Sequence, residues 1–309
     1  MKTTNSTLLL FDKIQDLYEH LGIPSNTINT AGEFTIYNMG NFYHPKSYKV
    51  TAYRANFYSF VFVKDAKGTY TSENQDYEIS ARTIFFNTPG YIKEFEVSGV
   101  KELYLLTFSE SFLKENVHSQ IFEEFPFLLA ESVAPQVIPA ERFAEFEELY
   151  MQIEKAYFSD SPYRNKFIAH LFVALLIKIK ENFWNDAIIP SFEGSRACVI
   201  VNKFKAIMEH HYRDLSNGHT EKAHRVSEYA ELLNLHPNYL NNVIKSKTGK
   251  SVGNWIADKT ISEAKALLKN SNISVKEISY RLGFTEIQHF STYFKKHTQY
   301  TPVFYRQNI

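Results

Sequence analysis

Residues 226–249, VSEYAELLNLHPNYLNNVIKSKTG, and residues 274–302, SVKEISYRLGFTEIQHFSTYFKKHTQYTP, decide the fold of the last third of the chain. Each holds two short helical periods separated by a residue suited to a tight turn. In the first, Val226, Tyr229, Ala230, Leu232 and Leu233 form an apolar face. Asn234 follows where the turn needs a left-handed backbone, which Asn tolerates better than most residues. Pro237 then opens the next helix without losing a needed N–H. Leu240, Val243 and Ile244 point inward on that helix, and Asn238, Asn241, Asn242 and Lys245 point outward. In the second stretch Ile278 and Leu282 pack inward, Gly283 makes the turn, Phe284 plugs it, and Thr285 is expected to cap the following helix. Phe290, Tyr293 and Phe294 form the buried side of that helix, leaving Ile287, Gln288, Ser291 and Thr292 outside. Residues 251–270, SVGNWIADKTISEAKALLKN, join the two as one amphipathic helix.

Two helices set around a tight turn, with the second exposing amides and lysines, form the pattern that places a helix in the DNA major groove. Units at about 226–248 and 274–297 let one chain read two groove segments. Asn is a bidentate partner for adenine and Lys serves guanine or phosphate, so Asn238, Asn241, Asn242, Lys245, Ile287, Gln288, Ser291 and Thr292 are the candidate base readers. Ile287 suits a thymine methyl or a packing role equally. Lys247, Lys295, Lys296 and Arg306 are the candidate phosphate contacts. The bland alternative is a polar, solvated helix face.

Charge supports a polyanionic partner for this half. Residues 195–309 hold 17 Lys+Arg against 9 Asp+Glu, a net of +8, whereas residues 1–194 hold 17 against 25, a net of −8. Basic side chains release condensed counterions from DNA, and the acidic half is repelled by the same polymer. A single cysteine, Cys198, excludes an internal disulfide framework and fits a reducing compartment. The apolar run near the start, Leu8 to Phe11, is too short for a signal peptide. The longest apolar stretch, residues 167–180, is interrupted by His170 and Lys178 and falls short of a membrane span. A soluble cytoplasmic protein with no membrane partner is therefore expected.

The first half is of another kind, with 21 of the 26 Phe and 13 of the 20 Tyr lying before residue 195. Residues 57–63, 68–72, 76–80, 83–87, 91–97 and 102–108 read as short strands rich in aromatic and β-branched residues. Breaks are expected at Asp65–Gly68, Asn87–Gly90 and Ser98-Gly99. Such spacing predicts a barrel or sandwich. Beyond Pro139, Phe143, Phe146, Tyr150, Ile153 and Tyr157 fall at 3-4 spacing, and a second helix runs from about Tyr163 to Phe183. This pair serves either dimerisation or cover for the sheet. Residues 185–194 read as a linker.

The carboxy-terminal pattern resembles the DNA-binding domain of the AraC/XylS family of bacterial transcription regulators. The residues that carry the resemblance are Ala230, Leu240 and Gly249, then Ala264, Leu267 and Leu268, then Ile278, Gly283, Phe284, His289-Phe290, Phe294-Lys295, Pro302 and Tyr305-Arg306. The resemblance covers about 100 residues. It implies seven helices, two of which read successive major grooves and are bridged by a long linker helix. Thr260, Asn234 and Gln299 depart from the family pattern, which commonly has Arg, Gly and Gly there. The same resemblance implies a cupin-like amino-terminal domain followed by dimerisation helices.

The expected fold class is therefore α+β multidomain. A cupin-like β-barrel or sandwich spans residues 1–138, a helical pair 139–184, a linker 185–194, and an all-α domain with two helix-turn-helix units 195–309. Metal-binding cupins use several histidines and a glutamate, whereas this region offers His44 alone and has Ile92 and Lys93 after Pro89-Gly90. No metal, cofactor or catalytic residue is expected. Glu209-His210-His211 places adjacent histidines in different directions on a helix, and no phosphate-cradling glycine loop is present. The leading expectation is a homodimeric regulator that binds double-stranded promoter DNA and responds to a small-molecule effector in the barrel, whose binding residues the sequence does not name. The alternatives are a metal-dependent cupin-type enzyme with an appended DNA-binding domain, and a ligand-independent regulator whose first half dimerises or contacts RNA polymerase.

Overall fold

The computed structural model describes residues 8–23, 33–42, 47–72, 75–118, 120–129, 133–183 and 195–308. His44 and the expected linker at 185–194 lie outside the described residues. In chain order the elements begin with β1 (Leu9–Phe11), α1 (Ile14–His20), β2 (Phe34–Asn38), β3 (Tyr48–Ala55), β4 (Tyr58–Ser72), β5 (Gln75–Ile79), β6 (Thr83–Asn87) and β7 (Ile92–Phe108). Next come α2 (Glu110–Phe112), continued by a wider turn over Leu113–Val117, then α3 (Ile121–Glu124), β8 (Val133–Val137), α4 (Ala140–Tyr157) and α5 (Arg164–Phe183). The last third is helical: α6 (Arg196–Asn217), α7 (Val226–Leu232), α8 (Pro237–Thr248), α9 (Val252–Asn270), α10 (Val275–Arg281), α11 (Ile287–Thr298) and α12 (Pro302–Asn308). The molecule is mixed α/β, with a sheet-rich amino-terminal part and a helical carboxy-terminal part.

Two compact units divide the chain. One comprises Met1–Ser109 and Ala130–Ala187, the other Glu110–Leu129 and Ile188–Ile309. This corrects the expected boundaries of 1–138, 139–184 and 195–309. Helices α4 and α5 belong to the sheet unit, and the segment Glu110–Leu129 belongs to the helical one. The physical reason lies in its charges, because Lys114 and Glu110 find their partners on α6 and α9 of that unit.

In the sheet unit, the strands run β1-β3-β7-β4-β6-β8, with β2 also pairing β7 and β5 pairing β4. Strands β4 and β7 form the long antiparallel spine, from Tyr58 opposite Phe108 to Ser72 opposite Lys93. The breaks expected at Asp65–Gly68 and Ser98-Gly99 do not end strands. The register slips between Val63 and Lys67, so the turn-prone residues are absorbed as bulges that bend a continuous ribbon. Gly68 permits a close approach of the two strands, since a Cβ there would lie 2.0 Å from the Glu96 carbonyl oxygen.

Alternation along β4 separates two cores. Phe60 and Phe62 face α4 and α5, where Phe60 lies 5.9 Å from Phe172 and Phe62 lies 5.2 Å from Tyr150 between ring centroids. The stripe Phe143, Phe146, Tyr150, Ile153 and Tyr157 is buried here, so these helices cover the sheet with the face that the 3-4 spacing identified. Each such buried aromatic contributes roughly 1.5–3 kcal/mol. Val61 and Val63 face the other way, into a second core with Tyr70, Phe85 and the α1 residues Ile14, Leu17 and Tyr18.

In the helical unit, one core gathers α6, α7 and α8 around Phe204, Tyr229, Leu240 and Ile244. A second gathers α10, α11 and α12 around Ile278, Phe290, Phe294 and Tyr305. Helix α9 contributes Val252 to the first and Ala264 and Leu268 to the second. Among the described residues no helix is long and apolar enough to cross a membrane.

Candidate nucleic-acid interface

The turns are built as their residues require. Asn234 sits at φ 54° and Gly283 at φ 81°, both left-handed. Leu235 N–H then donates to the Ala230 carbonyl at 2.8 Å, and Phe284 N–H donates to the Ser279 carbonyl at 3.0 Å. Gly283 has a second constraint, because a Cβ there would meet the Ala223 backbone nitrogen at 2.7 Å. Pro237 takes the first position of α8, as expected, and His236 Nδ1 accepts the Asn238 N–H at 3.2 Å. Helix α11 starts one residue later than expected. Glu286, not Thr285, precedes it, and no side chain caps it.

Helices α8 and α11 repeat one another with an offset of fifty residues. Thr248 Oγ1 donates to the Ile244 carbonyl at 2.8 Å, and Thr298 Oγ1 donates to the Phe294 carbonyl at 2.8 Å. The helices end at Gly249 and Gln299, with φ 79° and 69°. Each threonine hydroxyl also accepts the backbone N–H two residues on, at 3.3 Å from Lys250 and 3.2 Å from Tyr300. The buried pairs correspond as well, Leu240 with Phe290 and Ile244 with Phe294.

This register fixes what each helix exposes. On α8 the exposed face is Asn238, Tyr239, Asn242, Lys245 and Ser246; on α11 the equivalent positions Gln288, His289, Thr292, Lys295 and Lys296 are exposed, as is His297 beside them. Both faces follow i, i+1, i+4, i+7, i+8, one continuous stripe of a helix. Seven of the residues expected to touch DNA stand on these stripes: Asn238, Asn242, Lys245, Gln288, Thr292, Lys295 and Lys296. Tyr239, Ser246 and His289 stand there too and were missed, although the fifty-residue register between the two sequence stretches would have found them.

The other expected contacts are placed differently. Asn241 is half-buried, and its Oδ1 accepts the Val252 N–H at 3.1 Å. It therefore caps α9 instead of standing on the exposed stripe, because Val252 N–H is one of the helix-end donors that must be satisfied. Ser251 Oγ accepts a second of these donors, Asn254 N–H, at 3.2 Å. Ser291 holds the equivalent half-buried position on α11, and Ile287 and Lys247 are half-buried as well. Arg306 turns inward: its Nε donates to the Leu268 carbonyl at 3.1 Å, and its Nη2 is buried. An arginine held this way ties α12 to α9. Leu232, expected in the core, is 52% exposed.

Beneath the stripes, α9 is fixed to the rest of its unit by buried charges. Lys259 Nζ pairs with Glu110 at 2.8 Å, with Glu263 at 3.4 Å and with Glu209. Lys114 Nζ pairs with Glu209 at 2.8 Å and with Glu263. Burial works against the charge of Lys259, but Glu110, Glu209 and Glu263 outweigh it and hold its pKa well above the ordinary value. Burial also opposes ionisation of Glu209, yet Lys114 and Lys259 hold its pKa down at about 2. The three carboxylates converge closely enough to suggest a cation site, but two ammonium groups already occupy them. Asn270 Nδ2 donates to the Lys114 and Glu115 carbonyls at 3.1 and 3.0 Å, and Tyr305 OH donates to the Glu115 carboxylate at 2.9 Å. Thr260, where the family pattern has arginine, bonds Tyr212 OH at 2.6 Å. The adjacent histidines diverge as expected: His210 is exposed beside Asp214, whereas buried His211 accepts the His224 N–H at 3.0 Å. Burial brings the pKa of His211 down to about 4.

The sheet unit holds a cavity of about 50 Å³, lined by Tyr53, Ser59, Val61, Tyr70, Phe85, Asn87, Lys93 and neighbouring apolar side chains. Tyr53 belongs to that lining, whereas its neighbour Arg54 does not. Arg54 Nη1 instead donates to the Gly90 carbonyl at 2.9 Å, and Tyr58 stacks on Phe108 at 5.3 Å.

Comparison with known proteins agrees with the architecture of the helical unit. Residues 229–308 match a family model described as a helix-turn-helix domain. The chain is 32% identical over 105 residues to the uncharacterized HTH-type transcriptional regulator YobQ of Bacillus subtilis, covering 33% of this chain and 44% of that protein. It is 23% identical over 266 residues to the HTH-type transcriptional activator RhaS of Escherichia coli, covering 82% and 86%. Among solved structures, ToxT from Vibrio cholerae is 17% identical, with 89% and 97% covered and a TM-score of 0.37. Residues 229–308 are a helix-turn-helix domain, and over that part the chain is similar to HTH-type transcriptional regulators.

Proposed function

We propose that this chain is a sequence-specific transcription regulator that docks both α8 and α11 into promoter DNA. The observation that carries the reading is the fifty-residue register, which gives two helices the same C-terminal caps and two equivalent exposed polar stripes. A helix of this kind reaches base edges through its exposed amides and hydroxyls while its lysines meet phosphates. Asn238, Asn242, Gln288 and Thr292 read bases, and Lys245, Lys295 and Lys296 hold the backbone. The two groove segments lie about one helical turn apart. The position of the operator relative to the promoter then decides activation or repression.

The sheet unit is the effector-binding part in this reading, with the cavity as the ligand site. Its lining, among the described residues, carries neither histidine nor carboxylate, which favours a binding pocket over a metal-dependent enzyme. The chain acts as a homodimer through α4 and α5. Their inner faces are used on the sheet, but Met151, Phe158 and Phe167 remain 49%, 59% and 52% exposed. Selection of binding sequences from a random DNA pool with the full chain tests the function. Enrichment of a motif with two half-sites supports it, and no enriched motif refutes it.

A further inference from the structure

Lys93 is 3% exposed, yet among the described residues no carboxylate pairs with it. Its ammonium nitrogen lies instead over the Tyr53 ring, 5.6 Å from the centroid. It lies on β7 between Ile92 and Glu94, and with Phe95 and Val97 it lines the cavity of the sheet unit. Burial alone lowers its pKa to about 7. A buried ammonium group without an anion is costly, and the cost is removed when an anion arrives.

The rest of the wall restricts what that anion is. Tyr70 OH donates to Asn87 Oδ1, and Asn87 Nδ2 donates to Ser59 Oγ at 3.2 Å. These groups largely satisfy one another, and apart from Tyr53 and Lys93 the remaining lining is apolar, including Val61, Phe85 and Leu105. A polyol would leave most of its hydroxyls unpaired here. A single cation supports a single negative charge. The cavity of about 50 Å³ is about a third of the ~150 Å³ that accommodates benzene, so the ligand has a body smaller than an aromatic ring.

We propose that the cavity binds a short-chain aliphatic carboxylate, with its carboxylate on Lys93 Nζ and its alkyl chain against Val61, Phe85 and Leu105. The inference rests on the reading of the sheet unit as the effector-binding part and names the chemical class of that effector.

The test uses the full chain with straight-chain carboxylates from acetate to octanoate, their neutral amides and a panel of sugars. Binding is followed by ligand-observed NMR and by melting temperature. Saturable binding is expected for propionate or butyrate, with at least tenfold weaker binding of the matched amide. Lys93→Met should weaken the acid at least tenfold and leave the amide unchanged, while the variant still melts cooperatively. Equal binding of acid and amide, unchanged acid binding in Lys93→Met, or no binding of any acid overturns the proposal. Binding of a sugar alone removes the carboxylate class but keeps the sheet unit as the effector-binding part. DNA binding insensitive to every bound molecule removes the effector reading itself.

Discussion

Asn241 reaches from the side of α8 to the first N–H of α9, its Oδ1 accepting from Val252 at 3.1 Å. The first candidate reading helix thus caps the helix that joins it to the second. Asn241 and Asn242 are adjacent in sequence but face different tasks, one holding the frame and the other facing outward. The contrast separates effects on stability from effects on recognition.

Asn241→Ala should lower the stability of the helical unit by about 1 kcal/mol, the ordinary net worth of such a bond. Asn242→Ala should leave stability within about 0.5 kcal/mol and lower affinity for the selected operator by roughly 1–3 kcal/mol. Urea denaturation and operator titration of the two variants check this. A stability loss in Asn242→Ala equal to that in Asn241→Ala would show that the two side chains are not so divided.

Lys295 is exposed on α11 and assigned to phosphate. Lys295→Ala should weaken binding to all sequences alike and reduce the salt slope by about one counterion. Fluorescence anisotropy across a salt series on operator and random duplexes measures both. Arg306→Ala should do neither, since its guanidinium is bound to the Leu268 carbonyl; it should instead destabilise the α9–α12 packing.

The buried charge network predicts an acid limit for the helical unit. Glu209 is held down at about 2, against an ordinary 4.5, so its contribution to stability is present above pH 4.5 and lost as pH falls toward 2. Glu209→Gln leaves Lys114 and Lys259 underpaired and should cost about 3–5 kcal/mol at neutral pH. The difference from the natural protein should shrink steadily below pH 4.5. Denaturant melts from pH 7 to pH 3 follow it, and a constant difference would contradict the assignment.

Lys93 also predicts a loss of stability as pH falls, in the sheet unit and over a higher pH range. Its pKa is lowered to about 7 from an ordinary 10.5 by burial. The charged form is penalised in the folded state, so the penalty is absent above pH 10.5, grows as pH falls, and is complete below pH 7. Tyr53 and Tyr70 are the other titratable groups in the lining, and neither supplies a compensating carboxylate. Lys93→Met should therefore stabilise the ligand-free protein by about 2–4 kcal/mol at pH 6 and less at pH 9. Melting temperatures at those two pH values decide it.

Much of the helical unit was legible because its signals are local. Asn234 and Gly283 mark turns by backbone chemistry, and Tyr229, Leu240, Phe290 and Phe294 mark buried faces by period. The hydrogen bonds of Arg306 and Asn241 were not legible because their partners, Leu268 and Val252, lie on another helix, and helical period alone cannot show an inward hydrogen bond. In the sheet unit, Asp65–Gly68 and Ser98-Gly99 carry turn chemistry that cross-strand pairing overrides as bulges. The segment Glu110–Leu129 follows β7 directly in sequence, yet its charged partners Glu209, Lys259 and Glu263 lie about a hundred residues or more away. Lys93 was visible only as a residue standing where metal-binding cupins carry a histidine, and its burial follows from long-range pairing with Tyr53 on β3 and Ser72 on β4.

The central claim is that α8 and α11 read separate groove segments. Methylation-protection footprinting on the selected operator, with Asn242→Ala and Thr292→Ala compared, tests it most directly. Two protected windows about 10 base pairs apart are predicted, with Asn242→Ala losing one and Thr292→Ala losing the other. A single window, or two windows lost together in either variant, would contradict the account.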